Sequence, residues 1–224
     1  MKKEIFDFNP SIHVYEKKYK KYLNTFKTGK DYPEKGLGDY IQNESLYDKE
    51  SGDGVSYIVL HRNEKNEIED VVAYFTLVSS SIPCLYRCEE EGEEPYETMF
   101  GIPAVRIHMF AVNEKYQDTF FRGELIAGLI FKAIIAKIDV MSRNGLGIKA
   151  IYLYSIPSAK NFYKKNNLLE AEEYMQKFSD GDDDCDLMYV FIREVHNTYE
   201  KKRKRLTWWQ RFKRKIGRKL LNQE

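Results

Sequence analysis

A β-rich run, a polar corner and a long apolar helix follow one another in residues 104–144, and this succession restricts the fold more than any other feature. The run AVRIHMFAV is rich in residues that favour strands. After the corner NEKYQ, apolar residues recur every three or four positions from Leu125 to Met141, which predicts a long helix with a broad buried face. The segment NGLG ends that helix, and IKAIYLYSI predicts the next strand. Such a unit is typical of a sheet with helices packed on its faces.

The flanking sequence predicts further strands and helices around this unit. KEIFDF predicts an opening strand, and helical spacing of apolar residues predicts a helix over residues 11–26 and a shorter one over 37–47. Residues 55–63 and 69–78 predict an antiparallel hairpin. The acidic stretch CEEEGEEPYE predicts a solvated loop, SAKNFYKKNN a short helix and DLMYVFI a late strand. The fold class is therefore α/β, with a mixed sheet.

Charge divides the chain into an acidic body and a basic tail. From Arg193 onward there are 12 Lys and Arg against 3 Glu, a net charge of +9, whereas the preceding 192 residues carry −8. We expect one domain over residues 1–195 and a tail over 196–224. Within residues 201–221, apolar residues at helical spacing predict a basic amphipathic helix: Trp209, Phe212, Ile216 and Leu220. Such a helix suits nucleic acid, an anionic membrane surface, or packing within the chain or in a homodimer.

Several classes of protein are disfavoured by the sequence. The longest apolar run is interrupted by Lys132 and Lys137 and is too short to span a bilayer, and the N-terminus lacks the apolar core of a signal peptide. We therefore expect a cytoplasmic protein without an integral membrane segment. The three cysteines have neither disulfide nor metal-ligand spacing, so we expect free thiols and no metal. The chain contains neither GxGxxG nor GxxxxGK[ST], which disfavours a Rossmann dehydrogenase and a P-loop NTPase.

Two short motifs carry a resemblance to a known family. The patterns are V-x-x-x-Y/W-Q-x-x-G-x-G/A after the central strand and A-x-x-x-Y-x-x-x-G-F further on. The matching positions are Val112, Tyr116 and Gln117 in the first and Ala159 and Tyr163 in the second. With the order of elements over roughly residues 55 to 192, the chain resembles the GNAT family of acetyl-CoA-dependent N-acetyltransferases. LGDYIQNESLY and the insertion before IPAVRIHMFAV are most similar to its branch of toxins that acetylate aminoacyl-tRNA.

The resemblance implies a GNAT-like, mostly antiparallel central sheet flanked by helices, with acetyl-CoA as cosubstrate. It implies that the end of the central strand separates from its neighbour and pairs with the pantetheine arm. A diphosphate then binds the free amides at the corner, where the helix dipole favours negative charge. The cofactor-binding residues implied are Phe110, Ala111, Val112, Gln117, Asp118, Thr119, Phe120, Phe121, Arg122 and Gly123. Phe120 and Arg122 replace the two motif glycines, so an unliganded turn is the alternative.

The resemblance also implies direct acetyl transfer to a primary amine whose identity is unknown, with Tyr163 over the cofactor sulfur. A phenol with a pKa near 10 stays protonated at neutral pH and can donate to the departing thiolate. Strict alternation along the strand places His108 on the face of Phe110 and Val112, where it is a candidate general base. The alternatives for these two residues are a packed, hydrogen-bonded histidine and a half-exposed tyrosine without a catalytic role. The alternatives for the whole protein are a degenerate GNAT-fold binding protein and an adaptor whose tail contacts nucleic acid, such as tRNA, or a membrane.

Overall fold

The computed structural model describes residues 3–29, 34–88, 94–178 and 184–198. The strands are β1 (Lys3–Ile5), β2 (Pro10–Val14), β3 (Val55–Arg62), β4 (Ile68–Cys88), β5 (Tyr96–Val112), β6 (Thr119–Phe121), β7 (Glu124–Leu125), β8 (Ala150–Ser155), β9 (Leu169–Glu170) and β10 (Asp186–Phe191). The helices are α1 (Glu34–Asn43), α2 (Ser45–Ser51), α3 (Ile126–Asn144) and α4 (Lys160–Lys165), with 3₁₀-helices at Lys17–Thr25, Glu114–Tyr116 and Pro157–Ala159.

Seven strands form one sheet in the order β2-β3-β4-β5-β8-β10-β9. Every neighbouring pair is antiparallel except β5 and β8, which run parallel. A parallel pair requires a crossover, and α3 supplies it. The predicted mixed, mostly antiparallel sheet is therefore confirmed. A second, three-stranded sheet in the order β1-β6-β7 lies at the polar corner.

Helices cover both faces of the central sheet. One face packs against α3, which buries Ile126, Ile130 and Phe131 in the larger core. The other face packs against α1 and the first 3₁₀-helix in a second core of ten buried residues. Central strands buried on both sides read as continuous apolar runs rather than as alternating patterns, which explains the VVAYF sequence of β4.

One element predicted near the N-terminus is wrong, and strands extend into both ends of the acidic stretch. Residues 11–26 do not form one helix, because Pro10–Val14 pairs with the edge of β3 and only Lys17–Thr25 is helical, as a 3₁₀-helix. Pairing satisfies the backbone groups of the β3 edge, which apolar spacing alone does not reveal. At the acidic stretch, β4 continues to Cys88 and β5 begins at Tyr96, so only the ends of the predicted loop belong to strands, while residues 94 and 95 lie in neither strand nor helix. Residues 89–93 at its tip lie outside the described residues.

The end of the described chain is a short helical segment over residues 192–198. The domain boundary expected after residue 195 falls inside it, and the amphipathic helix expected over 201–221 lies outside the described residues. Within the described part, no helix combines the length and apolar character needed to cross a membrane. No disulfide joins Cys84, Cys88 and Cys185, and the described residues contain no group of His, Cys, Asp and Glu suited to a metal ion.

Candidate active site

The central sheet opens where β5 and β8 diverge. Hydrogen-bonded pairing between these strands is confined to residues 104–106 and 150–152. Beyond that point β5 continues to Val112 with pairing only to β4 among the described strands. A cavity of about 400 Å³ lies in the gap. The predicted separation of the strand end is confirmed, and it leaves one backbone edge of β5 facing the cavity.

A β-bulge in β5 lies at the point of divergence. Thr76 pairs with Met109 and Leu77 with Ile107, so His108 is the extra residue. The bulge shifts alternation by one position, since Val105 and Ile107 before it and Phe110 and Val112 after it contact the same core. The prediction that alternation places His108 with Phe110 and Val112 is therefore wrong. The bulge aims the His108 ring at Tyr40 of α1 (ring centroids 6.1 Å apart), and His108 lines the cavity.

Tyr163 of α4 lines the same cavity. Its ring lies edge-on to Phe131 of α3, with centroids 5.3 Å apart, and Phe162 completes the aromatic cluster against Phe110. Among the described residues its hydroxyl forms no hydrogen bond. Desolvation raises the pKa of Tyr163 to about 12. The phenol is therefore protonated at neutral pH, and no acceptor within the described residues competes for its proton.

The sequence predicted that the polar corner turns directly into the helix, and this prediction is wrong. Residues 119–125 form a β-hairpin of β6 and β7, and the turn places Arg122 (φ 51°) and Gly123 (φ 75°) in the left-handed region. Parallel pairing with β1 fixes β6. Because α3 begins only at Ile126, the amides without intrahelical partners belong to residues 126–129.

The hairpin places six of the expected cofactor-binding residues outside the cavity lining: Asp118, Thr119, Phe120, Phe121, Arg122 and Gly123. The Phe121 ring packs instead against Phe8, with centroids 5.6 Å apart. The lining at the start of α3 consists of Leu125 and Ala127, which sequence reasoning missed. The signal available was the start of the helical period at Leu125, which the short motif placed too early.

Hydrogen bonds fix the 3₁₀-helix at the corner. The Gln117 side-chain amide donates to the carbonyl oxygens of Thr28 (2.8 Å) and Val112 (3.1 Å). The buried Asp70 carboxylate accepts from Lys115 Nζ at 2.8 Å. Gln117 therefore lines the cavity while holding the corner to the strand, and its predicted cofactor contact stays a prediction.

The described cavity lining contains no Asp, Glu, Lys or Arg. Its polar side chains are Thr28, His108, Gln117, Tyr154 and Tyr163. The remaining lining is apolar and comes from β5, β8 and the starts of α1, α3 and α4. The arrangement can bind an extended chain along the free edge of β5 and an anion at the first turn of α3.

Several solved structures are similar to the described fold. A structure of AtaTR bound with AcCoA has a TM-score of 0.60 at 15% identity, covering 85% of this chain and 98% of that chain. AtaT complexed with acetyl-methionyl-tRNAfMet has a TM-score of 0.57 at 13% identity, covering 85% of this chain and 99% of that chain. A tyrosine-to-phenylalanine mutant of KacT has a TM-score of 0.59 at 11% identity, covering 84% of this chain and 98% of that chain. The chain has the GNAT fold. No family model matches the sequence, and a search of curated proteins finds no match.

The GNAT fold gathers one part of the predicted site and separates another. Six predicted residues share the cavity: His108, Phe110, Ala111, Val112, Gln117 and Tyr163. The first three cofactor positions lie on the free edge of β5, as the resemblance implies. The corner positions after Gln117 belong to the hairpin instead, because its seven residues delay the start of α3.

Proposed function

We propose that the protein is an N-acetyltransferase that moves the acetyl group of acetyl-CoA to a primary amine by direct attack. The observation that carries this proposal is the protonated Tyr163 phenol in a cavity between two diverging strands. The cavity offers a strand edge for the pantetheine arm and helix amides for the diphosphate. AtaTR, which shares the fold, has been solved bound with AcCoA, and this supports the same cosubstrate here.

The cofactor would bind with its pantetheine amides paired to residues 110–112 of β5. The first turn of α3, rather than the hairpin, would then receive the diphosphate, because Leu125 and Ala127 at the start of α3 line the cavity and residues 118–123 do not. No glycine is needed at these positions for the amides to donate. Glycine allows a closer approach, so the presence of Leu125 and Ala127 rather than glycine at the start of α3 predicts a weaker diphosphate contact.

The reaction then needs one proton donor and one proton acceptor. The neutral amine attacks the thioester carbonyl carbon, the carbon–sulfur bond breaks, and the sulfur takes a proton from the Tyr163 hydroxyl. The attacking nitrogen loses a proton, for which His108 is the candidate acceptor because it lines the same cavity. The Tyr163 oxygen recovers its proton from solvent after the products leave.

We further propose aminoacyl-tRNA as the acetyl acceptor. AtaT, of the same fold, has been solved complexed with acetyl-methionyl-tRNAfMet. The excess of Lys and Arg in the tail of this chain provides the charge that a phosphate backbone attracts. The acidic body makes the tail the main basic segment of the chain.

Calorimetric titration of the full-length protein with acetyl-CoA tests the proposed site. We expect saturable binding, and transfer of labelled acetyl from acetyl-CoA to bulk aminoacyl-tRNA. Ala127→Glu places a carboxylate at the first turn of α3 and should weaken binding about tenfold or more through repulsion of the diphosphate. Ala133→Glu, at an exposed position of the same helix, is the matched control. If the protein binds no acetyl-CoA, or binds it without acetylating any amine, the degenerate binding protein replaces the enzyme.

A further inference from the structure

We propose that the basic tail binds back on the body, with its apolar stripe in a groove between α3, α4, β9, β10 and the helical segment of residues 192–198. The apolar stripe consists of the tail residues at helical spacing: Trp209, Phe212, Ile216 and Leu220. This contact is independent of the proposed acetyl transfer, because it concerns only where the tail binds.

The groove has a volume of about 470 Å³ and an apolar floor. The floor consists of Ile135 of α3, Leu168 and Leu169 at β9, Val190 of β10, and Val195. Leu169 is 47% exposed, so part of this apolar surface lies open to solvent. Binding pockets typically have volumes of about 300–1,000 Å³ and mostly apolar walls. The groove therefore has the size and the character to take neighbouring aromatic side chains.

Two lysines in the lining of the groove are paired with carboxylates of the body. Lys132 of α3 forms an ion pair with Glu124, and Lys164 of α4 forms one with Glu170. An anionic ligand in the groove would have to compete with these carboxylates for the lysines. The groove therefore favours an occupant that binds through apolar contact.

The tail leaves the body at the groove itself. Thr198, the last residue of the described body, lines the groove, and ten residues, 199–208, separate it from Trp209. A flexible segment of that length spans about 17 Å. The apolar stripe is therefore tethered within reach of the floor, at a local concentration on the order of millimolar. A partner that is free in solution would have to bind against this tethered competitor.

The pattern and the charge of the tail both suit this position. Anchors that recur every three or four residues are how an amphipathic helix places its apolar face in a groove. The chain carries −8 through residue 192 and +9 from Arg193 onward, so the net charge of the body attracts the tail. With the stripe in the groove, the Lys and Arg side chains on the opposite face remain in solvent beside α4, the helix that carries Tyr163.

Tryptophan fluorescence of the full-length protein tests whether the tail is bound. Both tryptophans of the chain, Trp208 and Trp209, lie in the tail, so their emission reports on the tail alone. We expect the native protein to emit at shorter wavelength than the urea-unfolded protein and to be less quenched by acrylamide, because the groove removes Trp209 from water. A native emission spectrum and quenching equal to those of the unfolded protein would overturn the inference.

A charge on the floor tests whether the groove is the binding site. Leu169→Glu places a carboxylate at the exposed part of the floor, and circular dichroism checks that the variant folds. We expect its emission to move to the wavelength of the unfolded protein and acrylamide quenching to rise about twofold or more, because the stripe would meet a charge. Leu146→Glu, at a 49% exposed position outside the lining, is the matched control and should emit as the unaltered protein does. If Leu169→Glu does not fold, Leu169→Gln should shift the emission in the same direction. A folded variant of Leu169 with unchanged emission would overturn the inference.

Two further measurements separate the tail from other occupants of the groove. Because the proposed contact lies within one chain, we expect the emission to stay constant when the protein is diluted about a hundredfold. A shift to longer wavelength on dilution, together with a fall in the sedimentation coefficient, would place the tail on a second copy and overturn the inference. We also expect Leu169→Glu to bind acetyl-CoA with unchanged affinity in calorimetric titration. Weaker acetyl-CoA binding with unchanged emission would assign the groove to the cofactor instead of the tail.

Discussion

The ring and the hydroxyl of Tyr163 contribute separately to the site. The ring packs against Phe131, whereas the hydroxyl bonds to no other described residue. Tyr163→Phe therefore retains the packing and removes the proposed proton donor. We expect kcat to fall about 100-fold or more, with unchanged acetyl-CoA affinity and an unchanged urea midpoint. Tyr47→Phe, at a tyrosine that is 71% exposed, is the control. A fall in cofactor affinity that matches the fall in kcat would assign Tyr163 to binding.

The raised pKa of Tyr163 also fixes the alkaline side of the pH profile. Because burial raises this pKa to about 12, the phenol remains protonated well above the value of about 10 for a free tyrosine. The donor form is thus present throughout pH 7–10, and kcat should not decline in that range. Stopped assays at fixed ionic strength measure kcat over this pH range, with Tyr163→Phe assayed in parallel. A descending limb near pH 10 that is absent from Tyr163→Phe would contradict the buried, protonated donor.

Among the elements, those with strong local periodicity were predictable from the sequence. Helix α3 was predictable because Ile130, Ile134 and Ile138 repeat on one face, which the sheet buries. The bulge at His108 was not predictable, because it depends on the register between β4 and β5. The hairpin of β6 and β7 was also not predictable, because β6 pairs with β1, which lies more than a hundred residues earlier in the chain. The placement of Tyr163 and residues 110–112 at one cavity was therefore foreseen, and the hairpin that takes residues 119–123 out of the cavity lining was not.

One ion-pair cluster connects α3 to the helical segment of residues 192–198. The Asp139 carboxylate is buried, accepts from Arg143 Nη2 at 2.6 Å and also contacts His196 Nε2. Arg143→Met removes the permanent cation from a buried anion and should destabilise the fold by about 1–3 kcal/mol, measured by urea unfolding. Lys132→Met is the control on the same helix, since both Lys132 and its partner Glu124 are half exposed and such pairs contribute about 1 kcal/mol or less. Equal losses in the two variants would show that Asp139 is not held by Arg143.

Negative charge is concentrated in the body of the chain and positive charge in the tail. Binding of the proposed tRNA acceptor therefore depends on the tail acting as a separate basic segment. The acidic body repels a polyanion, so attraction must come from the tail, whose residues beyond 198 contain 11 Lys and Arg against 2 Glu. The proposed active-site cavity is lined by residues of the described body. Binding of the tRNA backbone and acetylation of its amino acid are therefore separable by a single truncation.

Deletion of residues 199–224 should leave the fold and the acetyl-CoA affinity unchanged, because the described residues already form the cavity and a packed core on each face of the sheet. We expect KM for aminoacyl-tRNA to rise about tenfold or more and its dependence on salt to flatten, since fewer counterions are released when the tail is absent. Replacing Trp209 and Phe212 by alanine in the full chain keeps the charge and tests the apolar stripe alone. If that variant loses affinity as the deletion does, apolar packing rather than charge holds the tRNA. If the deletion leaves KM and its salt dependence as they were, the tail is not the tRNA contact, and co-sedimentation of the full chain with anionic vesicles then tests the membrane surface in its place.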